Sequence, residues 1–234
     1  MKTALSVLTV LLMGSTIPAF SAGSRDFGAT RGDHGKVQLF VLLDDSSRSS
    51  SLGVQLPQLR SFVESLPPNV AVGIGYMQNG RVVPAQGLTE DHEKAAAALR
   101  LPMGTPGGNG SPYFALSDLA KHWPSSYSAA ESGGRRVVLM LTDGVDRYYD
   151  TSEVNDPYVD AAIHDAKKNG LAVSSIYLSG AGLYGLGGRQ RLFAQSRLNM
   201  VSEETGGHAY FQGLSDPVSI APFLSDFRNR LEVQ

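Results

Sequence analysis

Cysteine is absent from the 234 residues, which removes disulfides, thiolate metal sites, iron–sulfur clusters and cysteine nucleophiles together. Charge is scarce as well: charged residues make up 18%, and 20 Lys and Arg against 22 Asp and Glu leave a formal charge of −2. No basic block stands out, so binding to a polyanion through bulk charge is not expected and nucleic acid is not an expected partner. No apolar run reaches the ~20 residues that a membrane span needs. Familiar catalytic signatures are missing too. There is no Gly-x-Ser-x-Gly elbow, no phosphate-binding Walker loop and no His-Glu-x-x-His. The five histidines, at 34, 92, 122, 164 and 208, show no ligand spacing. What is present is ordinary for a globular chain, with 42% hydrophobic residues. Its length is enough to bury a sizeable core without staples.

The first residues read as an address. Lys2 gives a positive start, Ala4 to Met13 is a short apolar run, and Pro18-Ala19-Phe20-Ser21-Ala22-Gly23 offers small residues for a signal peptidase. Residues 1–21 are therefore expected to be a signal peptide, cleaved after Ser21, with Gly23 as the rival position. Removing Lys2 takes the charge from −2 to −3. The expected location is exported, periplasmic or extracellular. Residues 22–36 form a polar, Gly-rich lead-in, whose Arg31-Gly32-Asp33 is read as linker. One domain is expected over residues 37–234.

That region alternates strand and helix patterns. Val37 to Leu43 is a continuous apolar run, as in a strand covered on both faces. Leu52, Leu56, Leu59, Phe62, Val63 and Leu66 recur at helical spacing, and Pro67-Pro68 stops the helix. Val70–Met77 is a second strand, turned by Gln78-Asn79-Gly80 into Arg81–Ala85. Helices are expected over Thr89–Leu99, Pro112–Trp123, Asp156–Asn169, Gln190–Thr205 and Pro217–Leu231. Strands are expected over Arg136–Leu141, Leu171–Leu178 and His208–Gln212. In the third helix Phe114, Leu116, Leu119 and Trp123 are the candidate core positions. This order predicts a three-layer α/β fold: an open, mostly parallel sheet with helices on both faces and one antiparallel edge strand after the Asn-Gly turn. Ligands of such sheets bind beyond the carboxyl ends of the strands. Two of those ends carry aspartates here, after Leu43 and after Thr142.

Asp44-Asp45-Ser46-Ser47-Arg48-Ser49-Ser50-Ser51 puts carboxylates and hydroxyls on one loop, a set of hard oxygens suited to Mg²⁺. Asp143 in Thr142-Asp143-Gly144 adds a carboxylate from a second loop, and Ser111 before Pro112 adds a hydroxyl from a third. These residues resemble the von Willebrand factor A domain and its metal-ion-dependent adhesion site, whose pattern is Asp-x-Ser-x-Ser, a middle-loop Ser or Thr, and Thr-Asp-Gly. The resemblance runs from Val37 to the C-terminus in element order and is nearest to secreted bacterial members whose first strand ends in Asp-Asp. It implies a binding module holding Mg²⁺, or Mn²⁺ or Ca²⁺, through Asp44, Ser46, Ser111 and Asp143. The implied partner is a protein or peptide offering an acidic side chain.

Two registers fit the first loop. Starting at Asp44, Ser46 takes the second place but Arg48 the third, where a guanidinium opposes a cation. Starting at Asp45, Ser47 and Ser49 complete the pattern. Placement directly at the strand end favours Asp44, and that register is preferred, with an impaired site. Thr105 is the rival of Ser111. Gly180-Ala181-Gly182-Leu183-Tyr184-Gly185 matches a dinucleotide fingerprint literally, but no acidic residue closes a following strand, so it is read as a rim loop. Tyr148 and Tyr149 stand at the same rim. Two other classes compete with the binding module: a metal-free structural or assembly domain that lost the site, and a metal-assisted hydrolase using Asp44 or Asp45 with Asp143. The hydrolase lacks an evident acid/base near a strand end.

Overall fold

A computed structural model describes residues 35–45, 49–104, 110–124, 134–148, 156–179 and 187–233. Six strands form its sheet: β1 (Val37–Asp44), β2 (Val70–Gln78), β3 (Arg81–Thr89), β4 (Arg135–Thr142), β5 (Leu171–Tyr177) and β6 (Ala209–Tyr210). Their order across the sheet is β3-β2-β1-β4-β5-β6. Every neighbouring pair is parallel except β2–β3. The antiparallel pair is joined through Asn79 and Gly80, both at positive φ (49° and 71°), as a tight Asn-Gly hairpin turn requires. Chain order reverses between β1 and β4, so the switch point of the sheet lies where those two strands run side by side.

The helices are α1 (Ser49–Glu64), α2 (His92–Ala97), α3 (Pro112–Lys121), α4 (Pro157–Lys168), α5 (Gly188–Thr205) and α6 (Ala221–Val233). The period of two along β1 shows which helices lie on which face. Val37, Leu39, Val41 and Leu43 pack with Leu56, Leu59 and Val63 of α1, Ala95 and Ala96 of α2, and Leu224 and Phe227 of α6. Phe40 and Leu42 pack with Leu116 and Leu119 of α3, Val159 and Ile163 of α4, and Leu198 and Val201 of α5. Both faces of β1 are therefore dry, which explains its near-continuous apolar run. Each face buries a separate apolar layer, and these layers supply most of the driving force for folding. Among the described residues no helix is long and apolar enough to cross a membrane.

Several element ends differ from the sequence reading. The edge strand runs to Thr89 rather than Ala85, with irregular register near Ile74, and tolerates Pro84 because an edge strand leaves one side unpaired. Consequently Thr89 does not open α2. Asp91 does, its Oδ1 accepting the Lys94 amide at 2.9 Å. The first helix starts at Ser49, three residues before its apolar face begins at Leu52, and α5 starts at Gly188 rather than Gln190. The last helix starts at Ala221, because Ser219 and the preceding chain are tied to Gln58 and Gln55 of α1. In α3 the core position is Tyr113, fully buried, whereas Phe114 is half-buried and meets the rings of Tyr148 and Tyr158.

Candidate functional site

Side-chain alternation continues past Leu43 and separates the two aspartates that end β1. Asp44 falls on the side of Phe40 and Leu42, and Asp45 on the side of Leu43. Both are buried. Asp44 lies beside the end of β4, where its Oδ2 accepts the Thr142 hydroxyl at 2.9 Å. Asp45 faces the segment after α2. Its Oδ1 accepts from Arg100 Nη1 at 2.7 Å and the Met103 amide at 3.0 Å, and its Oδ2 from Gln78 Nε2 at 2.5 Å. Arg100 in turn lies flat over the Tyr76 ring, 3.8 Å from its centroid. Burial works to raise the Asp45 pKa, but Arg100, the Met103 amide and Gln78 together hold it below the ordinary carboxylate value. Asp45 is thus a braced structural carboxylate, and Asp44 is the one that faces the β4 loop.

The loop after β4 is built from two successive Asx turns, each carboxylate accepting the amide two residues on. Asp143 Oδ1 accepts from the Val145 amide at 3.0 Å, and Asp146 Oδ1 from the Tyr148 amide at 2.7 Å. Between them Gly144 has φ +68°, and a Cβ there would stand 2.8 Å from Leu198 Cγ and 2.9 Å from the Ala194 carbonyl. The glycine of Thr-Asp-Gly is therefore required by both backbone conformation and close packing on α5. Ser111 caps α3, accepting from the amides of Tyr113 (3.2 Å) and Phe114 (3.4 Å). Its hydroxyl donates to Asp146 Oδ2 at 2.7 Å. Beneath it the buried Tyr113 hydroxyl donates to the Gly144 carbonyl at 2.8 Å. The loop before α3 and the loop after β4 are thereby locked together.

Arg147 crosses this junction. Its amide donates to the Gly110 carbonyl at 2.8 Å, Nη1 to the Val145 carbonyl at 3.3 Å, and Nη2 to Asp143 Oδ2 at 2.8 Å. Its side chain is 21% exposed and that of Asp143 only 2%. Burial pushes the Asp143 carboxyl up to about 6; Arg147 opposes the shift and the nearby Asp44 reinforces it. Burial works against the Arg147 charge, but Asp143 outweighs it, with help from Asp44 and Asp146, so the guanidinium is held protonated.

Of the residues expected at a metal site, Asp44, Ser111 and Asp143 thus occupy the loops at the switch point, each with internal hydrogen-bond partners. Ser46 and Arg48 lie outside the described residues, as do Ser47, Thr105, Tyr149 and the glycine run from Gly180 to Gly185. Of Ser49, α1 supplies only the backbone placement. Among the described residues no group of three or more His, Cys, Asp or Glu side chains could hold a metal ion. Sequence reasoning missed three participants, Asp146, Arg147 and Arg100, and had Thr142 only as part of the Thr-Asp-Gly motif. The spacing of Asp143 and Asp146 to the amides they bind was a legible Asx-turn signal. Nothing local marks Arg100, which reaches Asp45 across 55 residues. Tyr148, 58% exposed, stands at the rim with its ring 5.2 Å from that of Phe114.

No family model matches the chain. No curated protein matches it either. Solved structures do. The SpRpn10 VWA domain is 16% identical, with 84% of this chain and 95% of that one covered and a TM-score of 0.50. The TFIIH p34 N-terminal domain is 15% identical, with 84% and 98% covered and a TM-score of 0.52. VWA2, the ArnB paralog from Sulfolobus acidocaldarius, is 11% identical, with 83% of this chain and 44% of that one covered and a TM-score of 0.50. At such identities the likeness concerns the path of the chain, and it agrees with the strand order, the antiparallel edge and the two helix layers found here. The chain has the von Willebrand factor A fold.

Proposed function

We propose that the chain is an exported protein-binding module, not an enzyme, and that it docks a protein or peptide on the rim formed by the loops after β1, before α3 and after β4. One observation carries this reading: at the switch point of the sheet, Arg147 presents a guanidinium of which, among the described residues, two of the five N–H donors are bonded, to Asp143 and Val145. An acidic side chain of the ligand is the complementary group, because a guanidinium binds a carboxylate in a planar, two-bonded geometry. Tyr148 beside it supplies an exposed aromatic surface of the kind that anchors interfaces. The reading as a binding module rather than an enzyme is supported by the sequence, which carries none of the familiar catalytic signatures, and His92 meets the Val70 carbonyl at the start of β2, the opposite end of the sheet from Asp44 and Asp143. Export rests on Lys2, the apolar run and the Ala19-x-Ser21 pattern.

A second reading, in which Asp44, Ser46, Ser111 and Asp143 hold a divalent ion that receives the ligand's carboxylate, is favoured by the excess of buried acids over cations. Among the described residues, Asp44, Asp143 and Asp146 all act on the Arg147 guanidinium.

The test is selection of displayed peptides on the purified chain, followed by binding measurements on synthetic copies. Selected peptides should be enriched in Asp and Glu. They should weaken at least tenfold against both Tyr148→Ala and Arg147→Gln, corresponding to a loss of about 1.4 kcal/mol. Peptides that bind both variants as tightly as the parent would place recognition elsewhere and overturn the reading.

A further inference from the structure

We infer that the Arg147 guanidinium is the resident cation of this site, standing where the fold would otherwise place a divalent ion. Three of the four residues that resemblance assigns to such an ion are described, and each already has oxygen atoms engaged. Asp143 uses Oδ1 on the Val145 amide and Oδ2 on Arg147. The Ser111 oxygen accepts two amides and gives its proton to Asp146, which fills its capacity as a hydroxyl. Asp44 Oδ2 accepts from Thr142. A magnesium ion demands near-octahedral oxygens at close range and loses water reluctantly. To enter here it would have to expel Arg147 and strip Ser111 from the first turn of α3.

Arg147 is also built in rather than laid on. Its own amide is fixed to Gly110, its Nη1 to Val145, and its side chain is largely buried against Asp143. A guanidinium remains charged at any physiological pH, so it neutralises part of the field of Asp44, Asp143 and Asp146 without an exchangeable ion. Removing it would leave Asp143 buried without the guanidinium that its Oδ2 meets, and breaking a buried pair by taking one partner is costly in a folded protein. The consequence is a rim whose binding and stability do not depend on metal. The inference concerns the same site as the proposed function, but its test reads cation uptake and unfolding of the chain alone, so either can fail while the other stands.

The experiment uses the full chain stripped with a chelator. Manganese is titrated while free Mn²⁺ is followed by electron paramagnetic resonance, and thermal unfolding is recorded with chelator, Mg²⁺ or Mn²⁺. Wild type should take up no Mn²⁺ in a saturable way below millimolar concentration, and its midpoint should not respond to chelator or either ion. Arg147→Gln should unfold roughly 6–12 °C lower, the shift expected in a chain of this size when a buried pair loses one partner. Arg147→Lys, which restores a point charge, should recover more than half of that loss. Saturable micromolar Mn²⁺ uptake by wild type would overturn the inference, as would an Arg147→Gln chain as stable as the parent. Should Arg147→Gln fail to fold, the wild-type titration and Arg147→Lys decide: ion-induced stabilisation of either chain refutes the assignment.

Discussion

Replacing Arg100 by Gln tests whether Asp45 is the braced carboxylate of the pair that ends β1. In the native chain Asp45 is 2% exposed and receives Arg100, Gln78 and the Met103 amide. Truncating one partner of a fully buried ion pair costs about 3–5 kcal/mol. Arg100 is 31% exposed, however, so water can replace part of what it gives, and a charged hydrogen bond of about 1.5–3 kcal/mol is the better scale. Loss of the stacking on Tyr76 adds about 0.5–1 kcal/mol. The expected destabilisation is therefore roughly 2–4 kcal/mol. Against a urea slope of about 2 kcal/mol per molar, that moves the unfolding midpoint down by about 1–2 M. Asp45→Asn should cost a similar amount, and the double variant less than the sum of the two, since the partners act on each other.

The pH dependence of the same variant gives an independent check. The Asp45 pKa is lowered in the folded chain. The folded state therefore binds fewer protons there than the unfolded state, and the stabilisation is fully present above the unfolded value of about 4. It is lost as pH falls through the folded value. The gap in unfolding free energy between wild type and Arg100→Gln should be constant from neutrality down to about pH 5 and close below pH 4. Equal stabilities of the two chains at neutral pH, or a gap that widens on acidification, would refute the bracing role and reopen Asp45 as a candidate ligand.

Two further substitutions probe the locked loops. Ser111→Ala removes the cap of α3 and the donor to Asp146; a loss of about 2 kcal/mol is expected in urea unfolding, and an unchanged midpoint would mean that the cap is not formed. Gly144→Ala places a Cβ against Leu198 and the Ala194 carbonyl at φ +68°, and should cost about 3 kcal/mol by strain and overpacking, read as a fall in thermal midpoint; a neutral result would show that the Thr-Asp-Gly turn is not held against α5.

Fold and site were legible to different depths because they are written at different ranges. Val37–Leu43 declared itself by an apolar run interrupted only by Gln38, as a strand covered on both faces sustains. Asn79-Gly80 declared the hairpin by local backbone chemistry. Element ends were less readable wherever a distant side chain set them, as Gln55 and Gln58 do for the start of α6. The strand-end aspartates mark the limit most clearly. Two adjacent Asp residues carry identical local signals, and the feature that separates them is alternation: one side chain meets Thr142 on the neighbouring strand, the other Arg100 beyond α2.

Arg147 shows the same limit at the site itself. It stands four residues after Asp143, a spacing that brings side chains together on a helix, but the segment between is a pair of Asx turns with Gly144 at positive φ. The sequence therefore offered no reason to pair Asp143 with Arg147, and directed attention to Arg48, the cation that interrupts the serine pattern. In the fold, the turn after β4 sends the chain back toward Gly110, and the Arg147 amide bonding the Gly110 carbonyl fixes where its side chain begins. From there the guanidinium reaches Asp143 Oδ2. A positive group at this end of the sheet was thus foreseeable from Asp44 and Asp143 on adjacent strand ends, since two buried carboxylates so placed demand one. Which residue supplies it was a matter of turn geometry, and only the backbone path decides that.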